Sequence, residues 1–246
     1  MNPAQDPVNF TPISAARAVD EIAAQVRQMI ASGKLRPGSR LPSERDLSAS
    51  LQVSRNTLRE ALRTLEHAGL IEMRKGVSGG AFVRTGNAST IITGLTDLYH
   101  LGAVSPQQLT DARVWLTEMV VRVACERATE AELDELDANV EAAAQASEAG
   151  RFDDRQRLNR AFHVILARST RNPIIAITME SVMEVLGLFI EKIGPSENAF
   201  TIPSRRRFMK HLRQRDAEAA SAEMSKHLRR RNTEYLARWK ALDADA

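Results

Sequence analysis

The residues best placed to do chemistry fall into two groups. In the first, Arg55, Asn56 and Arg59 lie at the exposed start and first turn of a short helical pattern whose Leu58, Leu62 and Leu65 turn to the other side. Guanidinium and amide groups read base edges or bind phosphates, and the apolar stripe behind them anchors such a helix to a core. Ser54 and Thr57 add hydroxyls that can bond phosphate. Arg45, on the preceding helical segment, is placed to touch the DNA backbone. Lys75, beside Gly76 in a glycine-rich turn, is placed to enter the adjacent minor groove or bind its phosphates. One such arginine alone reads as a solvated surface charge; the set, confined to one short module, reads as a DNA surface.

The second group lies in the other half of the chain. Asn159 and His163 are four apart on a helical pattern, so their side chains share a face about 5–6 Å apart. His227 shares its helix face with Ala220 and Met224. A lone histidine in so apolar a setting reads as a satisfied core residue; it becomes a ligand-binding group only where other polar residues converge on it.

The elements that must position these groups follow from periodicity and capping. Residues 1–13 hold three prolines, Pro3, Pro7 and Pro12, and no pattern, which predicts a flexible N-terminus. Val19, Ile22, Ala23, Val26, Met29 and Ile30 recur at helical spacing until Gly33. Ser43 can cap a helix through Leu51, with Asp46 completing a capping-box pattern. Ser54 can cap a second, to about Ala68, closed by Gly69. Two short capped helices joined by Gln52-Val53 have the spacing of a helix-turn-helix. Leu70–Met73 and Ala81–Val83, around Gly76, Gly79 and Gly80, predict a β-hairpin, the wing. The fold class is therefore mainly α, with a winged helix-turn-helix over 14–85. A linker with a short helix follows over 86–106, then an all-helical bundle over 107–242. Helices in that bundle are expected at 107–127, 130–148, 151–169, 173–193, 203–214 and 216–240.

Composition agrees with two soluble domains. The chain has 246 residues, 43% apolar and 26% charged, with a net charge of +3. The charge is uneven: residues 12–85 hold 12 Lys/Arg against 7 Asp/Glu, and residues 86–246 hold 22 against 23. The basic excess sits on the module that would meet a polyanion. The single cysteine, Cys125, beside Val121, Ala124 and Ala128, reads as a buried structural thiol in a reducing, cytoplasmic setting. The N-terminus lacks the basic and apolar regions of a signal peptide. The apolar stretch Ile174–Ile190 contains Glu180 and Glu184 and reads as a buried helix, so no membrane partner is expected.

Longer strings carry a family resemblance. Leu41-Pro42-Ser43-Glu44-Arg45-Asp46-Leu47, Val53 through Leu62, and Leu65-Glu66 with Gly69-Leu70-Ile71 closely resemble the GntR family. That resemblance implies a winged helix and a homodimer on a pseudo-palindromic operator in double-stranded DNA. It places DNA contacts at Arg45, Ser54, Arg55, Thr57, Arg59, Lys75 and Gly76. The strings around Arg113-Val114-Trp115, Cys125-Glu126-Arg127, Asn159–His163 and Asp216 to Leu228 resemble the FCD effector domain of the FadR subgroup.

In many such domains an Asp or Asn and three histidines hold a divalent metal that grips a carboxylate effector. Here Asn159 stands at the first of those positions and Arg205 at the middle histidine position. A guanidinium has no free lone pair and cannot ligate a cation. His211 is six residues on, 240° around the helix, and should point elsewhere. Asn159, His163 and His227 remain as ligands if zinc or nickel is bound, a thin set for an ion that prefers four. Arg113 matches the family's effector-facing arginine. With Arg205 it would place two guanidiniums in one apolar cavity, which demands an anionic effector such as an organic acid. The resulting expectation is a ligand-responsive regulator and not an enzyme, a repressor that a small anionic metabolite releases from DNA. An activator of the same family is the alternative. A metal-dependent hydrolase using His163 and His227 lacks a general base and leaves the N-terminal module unexplained. An architectural DNA-binding protein leaves the second polar group unexplained.

Overall fold

The computed structural model describes residues 15–76, 79–86, 88–194 and 199–244, which fall into two compact units, 1–87 and 88–246. The expected flexible N-terminus lies almost wholly outside the described residues, as do Val77 and Ser78 of the wing turn.

The first unit holds α1 (Ala15–Ala31), α2 (Glu44–Ser50), α3 (Arg55–His67), β1 (Ile71–Arg74) and β2 (Gly80–Val83). Ser43 and Ser54 cap α2 and α3: the Ser43 hydroxyl accepts from the Asp46 N–H at 3.2 Å and the Ser54 hydroxyl from the Thr57 N–H at 3.1 Å. Between them the chain turns through Gln52, whose φ is 53°. β1 and β2 pair antiparallel, Ile71 opposite Val83, and the 38–41 segment bonds along β2 through the Leu41 N–H and the Ala81 carbonyl at 2.9 Å. Gly79 permits the hairpin turn, because a Cβ there would lie 2.4 Å from the Arg74 carbonyl oxygen. Ile22 and Val26 of α1 meet Leu58, Leu62 and Leu65 of α3 and Ile71 of β1 in one apolar core. Each of these side chains contributes about 1.5–3 kcal/mol by leaving water.

The second unit is helical throughout its described residues: α4 (Ser89–His100), α5 (Pro106–Arg127), α6 (Glu130–Glu148), α7 (Phe152–Arg168), α8 (Pro173–Ile193), α9 (Thr201–Arg213) and α10 (Ala217–Ala244). Ser105 with Gln108, and Thr129 with Glu132, form complete capping boxes that start α5 and α6. The 86–106 stretch differs from a bare linker. It contains α4, which packs on α8 and rests Leu95 and Tyr99 against the bundle core, so it belongs to the helical unit. Helix α9 starts at Thr201, two residues before its expected start. Helix α8, at 21 residues, is long and apolar enough to cross a membrane by length and composition. It instead buries Met179, Val185, Leu186 and Phe189 inside the bundle. Cys125 is 2% exposed within that core, and burial pushes its thiol pKa up, which suits an inert packing role.

Candidate functional site

In the first unit, α3 separates its faces cleanly. Leu58, Ala61, Leu62 and Leu65 are buried, while Arg55, Asn56 and Arg59 are exposed, as is Arg45 on α2. Neither Arg55 nor Asn56 bonds another described residue through its side chain, so both are available to a partner. Two residues expected to contact DNA are already engaged with each other: the Ser54 and Thr57 hydroxyls are 2.8 Å apart at the helix start. Arg59 is held as well, its Nε donating to Glu44 Oε2 at 2.8 Å across the two helices. Lys75 and Gly76 are exposed at the wing turn, with Gly76 at φ 104°. Sequence reasoning missed Arg74 and Arg40 in this unit. The Arg74 guanidinium stacks 4.2 Å from the Phe82 ring centroid while paired with Glu72 at 2.6 Å, and Arg40 lies 6.0 Å from the same ring.

In the second unit, the five residues assigned to an effector converge on one cavity. Arg113 comes from α5, Asn159 and His163 from α7, Arg205 from α9 and His227 from α10. Apolar walls come from Met183, Leu186 and Ile190 of α8 and from Leu228. The enclosed volume is small, about 60 Å³, room for a few waters or a compact molecule. Arg205 is 3% exposed, although its neighbours Arg206 and Arg207 are surface residues paired with Glu141 and Glu223. Its Cζ lies 3.8 Å from the Phe162 ring centroid, and its Nη2 donates to the Asn159 carbonyl at 3.3 Å. Arg113, 4% exposed, donates through Nη2 to Asn232 Oδ1, and Asn232 in turn donates to the Thr110 carbonyl at 3.0 Å.

Several polar atoms of these five residues are left over. Arg113 Nε, Arg205 Nε and Nη1, Asn159 Oδ1, His163 Nδ1 and His227 Nδ1 are buried without a partner. Buried polar atoms are seldom left so, because each costs on the order of 1–3 kcal/mol. No Asp or Glu stands among the described residues lining the cavity, whereas five arginines do: Arg113, Arg155, Arg160, Arg205 and Arg231. Burial, then the repulsion of Arg205 and Arg113, holds both imidazoles far below their ordinary pKa, so His163 and His227 are neutral at pH 7. Burial pushes Arg113 down to about 10 and Arg205 to about 9, and both keep their charge at pH 7.

This donor set does not fit the metal its relatives' pattern implies. Among the described residues no group of three or more His, Cys, Asp or Glu side chains is placed to hold an ion. Two neutral imidazoles and an amide fall short of zinc's preferred four ligands, and the Arg205 guanidinium in the same cavity, which no acid in the described lining offsets, repels a cation. The arrangement suits an oxyanion, which can accept from every one of the open N–H groups. His211 does not line the cavity. Sequence reasoning missed Arg160, Arg231 and Tyr235. Helical spacing carried the signal, since Arg160 precedes His163 by three and Arg231 and Tyr235 follow His227 by four and eight.

Comparison with known proteins places both units. The family described as bacterial regulatory proteins, gntR family, matches residues 18–83, and the FCD domain matches 108–230. The chain is 28% identical over 241 residues to the HTH-type transcriptional repressor NanR of Klebsiella aerogenes, covering 94% of this chain and 88% of that protein. It is 33% identical over 179 residues to an HTH-type transcriptional regulator of Mycobacterium tuberculosis, covering 72% of each. The HTH-type transcriptional regulator LutR of Bacillus subtilis is 30% identical over 158 residues, 64% of this chain and 70% of that one. Among solved structures, Streptococcus agalactiae GntR shares the fold with a TM-score of 0.64 at 22% identity, covering 87% of this chain and 99% of that one.

Proposed function

The chain belongs to the GntR family of bacterial regulatory proteins, with an FCD domain behind its winged helix-turn-helix, and from that premise we propose that a small organic anion, held without a metal, sets its grip on DNA. It is a DNA-binding transcription regulator. The observation that carries the effector reading is Arg205: a guanidinium 3% exposed, with two N–H groups unpartnered, in a cavity whose described lining holds no acid. Such a charge wants an anionic partner, and a ligand can supply one. Arg113 and Arg205 hold the anion, and Asn159, His163 and His227 orient it by hydrogen bonds. The protein acts as a cytoplasmic homodimeric repressor, one helix-turn-helix per half-site of a pseudo-palindromic operator. The ligand binds the DNA-incompetent state better than the competent one and so releases the operator. Its relatives carry the names of transcription regulators, and we assign the cavity groups to binding.

A thermal-shift screen of small carboxylic acids, joined to metal analysis of the purified protein, tests this. Acids should raise the melting temperature of wild type and not of Arg205→Ala, while both bind operator alike. Stoichiometric zinc or nickel that survives dialysis and is lost in His163→Ala would overturn the metal-free reading.

A further inference from the structure

Charge balance in the same cavity says more about the ligand than its sign. Arg113 and Arg205 are both more than nine-tenths buried, and they face each other's field with no carboxylate in the described lining to offset either. Arg231, which also lines the cavity, already has its acid in Glu234, at 2.8 Å. A singly charged carboxylate would neutralise one guanidinium and leave the other desolvated and uncompensated, which is the costly arrangement.

A third guanidinium is built into the wall on purpose. Arg160 lines the cavity and makes no hydrogen bond or ion pair with another described residue. It lies against Gly187, a buried glycine in the interior of α8: a Cβ there would sit 3.1 Å from Arg160 Nη1 and 3.3 Å from its Cδ. Glycine inside a helix is disfavoured relative to alanine, so a glycine there calls for a packing reason. The space Gly187 leaves open is the groove in which the Arg160 side chain runs toward the cavity.

We infer that the effector is a compact, doubly charged oxyanion whose two charges offset Arg113 and Arg205, with Arg160, running through the notch at Gly187, donating to one of its acidic parts. This inference rests on the anion-binding reading above and narrows it. Two acidic groups on a short carbon chain and a single phosphate share this chemistry.

The test uses the full-length protein and probes matched in size that differ by one charge. Succinate is compared with succinamate, malonate with malonamate, and inorganic phosphate is run beside them, by calorimetry at fixed ionic strength. The dianion should bind at least about tenfold more tightly than its matched monoanion, the value of one additional charge-assisted contact. In Arg160→Met, and in Gly187→Ala, that ratio should fall toward one for the dicarboxylates. In Arg160→Met, a ratio lost for the dicarboxylates with phosphate affinity kept would assign Arg160 to the second carboxylate; phosphate affinity lost as well would place Arg160 in reach of any compact dianion. Equal binding of dianion and monoanion, a ratio unmoved in Arg160→Met, or no binding by any dianion would overturn the inference. The first two results leave the anion site standing. Failure of every anion, mono- or divalent, together with a metal retained by the histidines, would instead overturn the reading beneath it. The melting temperature and helical circular dichroism of each variant without ligand report that its bundle is folded.

Discussion

The two units place their arginines in opposite environments. On α3, Arg55 stands in water in front of a leucine stripe, and nothing in the fold is spent on holding it. In the bundle, Arg113 and Arg205 are 4% and 3% exposed, their desolvation already taken from the folding free energy. A surface cation gains affinity by displacing counterions, so its contribution fades with salt. A buried one has no ions to release, and its contribution to binding is a relief of an existing cost. Substitutions in the first unit should therefore alter binding and spare stability, and substitutions in the second should alter both.

The sharpest way to break this comparison is at Arg205. Arg205→Met keeps the volume over Phe162 and deletes the charge. Effector affinity should fall by roughly 2–5 kcal/mol, as when one member of a desolvated charge pair is removed. The ligand-free protein should melt no lower than wild type, because an uncompensated buried charge has been replaced by an apolar side chain. A melting temperature several degrees below wild type would show that the guanidinium is satisfied in the free protein, and the contrast between the units would collapse.

Acid should separate the units next. His163 and His227 are held neutral by burial and by the surrounding guanidiniums of Arg113 and Arg205, with Arg231 and Arg230 adding to the field at His227. Their folded pKa values lie below the unfolded value of about 6.5, so below that pH the unfolded chain takes up protons that the native bundle refuses. Stability is then present above about pH 6.5 and lost as the pH falls. Two such groups remove roughly 2 kcal/mol between pH 6.5 and 5.5. Denaturant titrations of the helical unit should show that slope, and His227→Gln should halve it. The lowered carboxylates, such as Glu132 and Glu223, begin to titrate only near and below the ordinary glutamate value of 4.5 and leave this window clear. An unchanged midpoint between these pH values would mean that both imidazoles take up protons in the native bundle, and a halved slope that one of them does.

On the exposed side, Arg55→Ala should cost on the order of 1–3 kcal/mol at the operator and reduce the salt slope, with no change in melting temperature. Equal operator affinity in a folded variant would take Arg55 off the DNA surface.

How far these sites were legible in the sequence follows from the kind of signal each uses. Helix bounds were readable because caps are local: Ser43 and Ser54 bond a backbone N–H three residues on. The outward face of α3 was readable because Leu58, Leu62 and Leu65 repeat at helical spacing. The cavity was only partly readable. Asn159, His163 and His227 announced themselves by type, and Arg113 and Arg205 by resemblance to the FCD pattern. Periodicity does not tell Arg205 from Arg206 and Arg207; what distinguishes it is Phe162 on another helix. The Arg160–Gly187 contact and the Arg113–Asn232 bond join residues 27 and 119 apart, and nothing local records such a meeting. Likewise the short helix within 86–106 is legible in the sequence, but the packing of its Leu95 and Tyr99 on the bundle core is not.

The smallest expected effect lies between Arg59 and Glu44. Their 2.8 Å ion pair ties α3 to α2, with side chains 58% and 32% exposed. A pair so open to solvent contributes about 0–1 kcal/mol to the fold. It matters more as a competitor. To reach a phosphate or a base, Arg59 must leave Glu44, and the lost pair subtracts from operator affinity. Glu44→Gln should therefore leave stability within about 0.5 kcal/mol of wild type and strengthen operator binding by up to about 1 kcal/mol. Removing a negative charge from this surface would also help any polyanion, so the single variant does not isolate the pair. The double-mutant cycle does: in an Arg59→Ala background, Glu44→Gln should give a smaller gain, and the difference is the coupling between the two side chains. Strict additivity would show that Arg59 stays on Glu44 when DNA is bound, leaving Arg55 and Asn56 as the readers on α3.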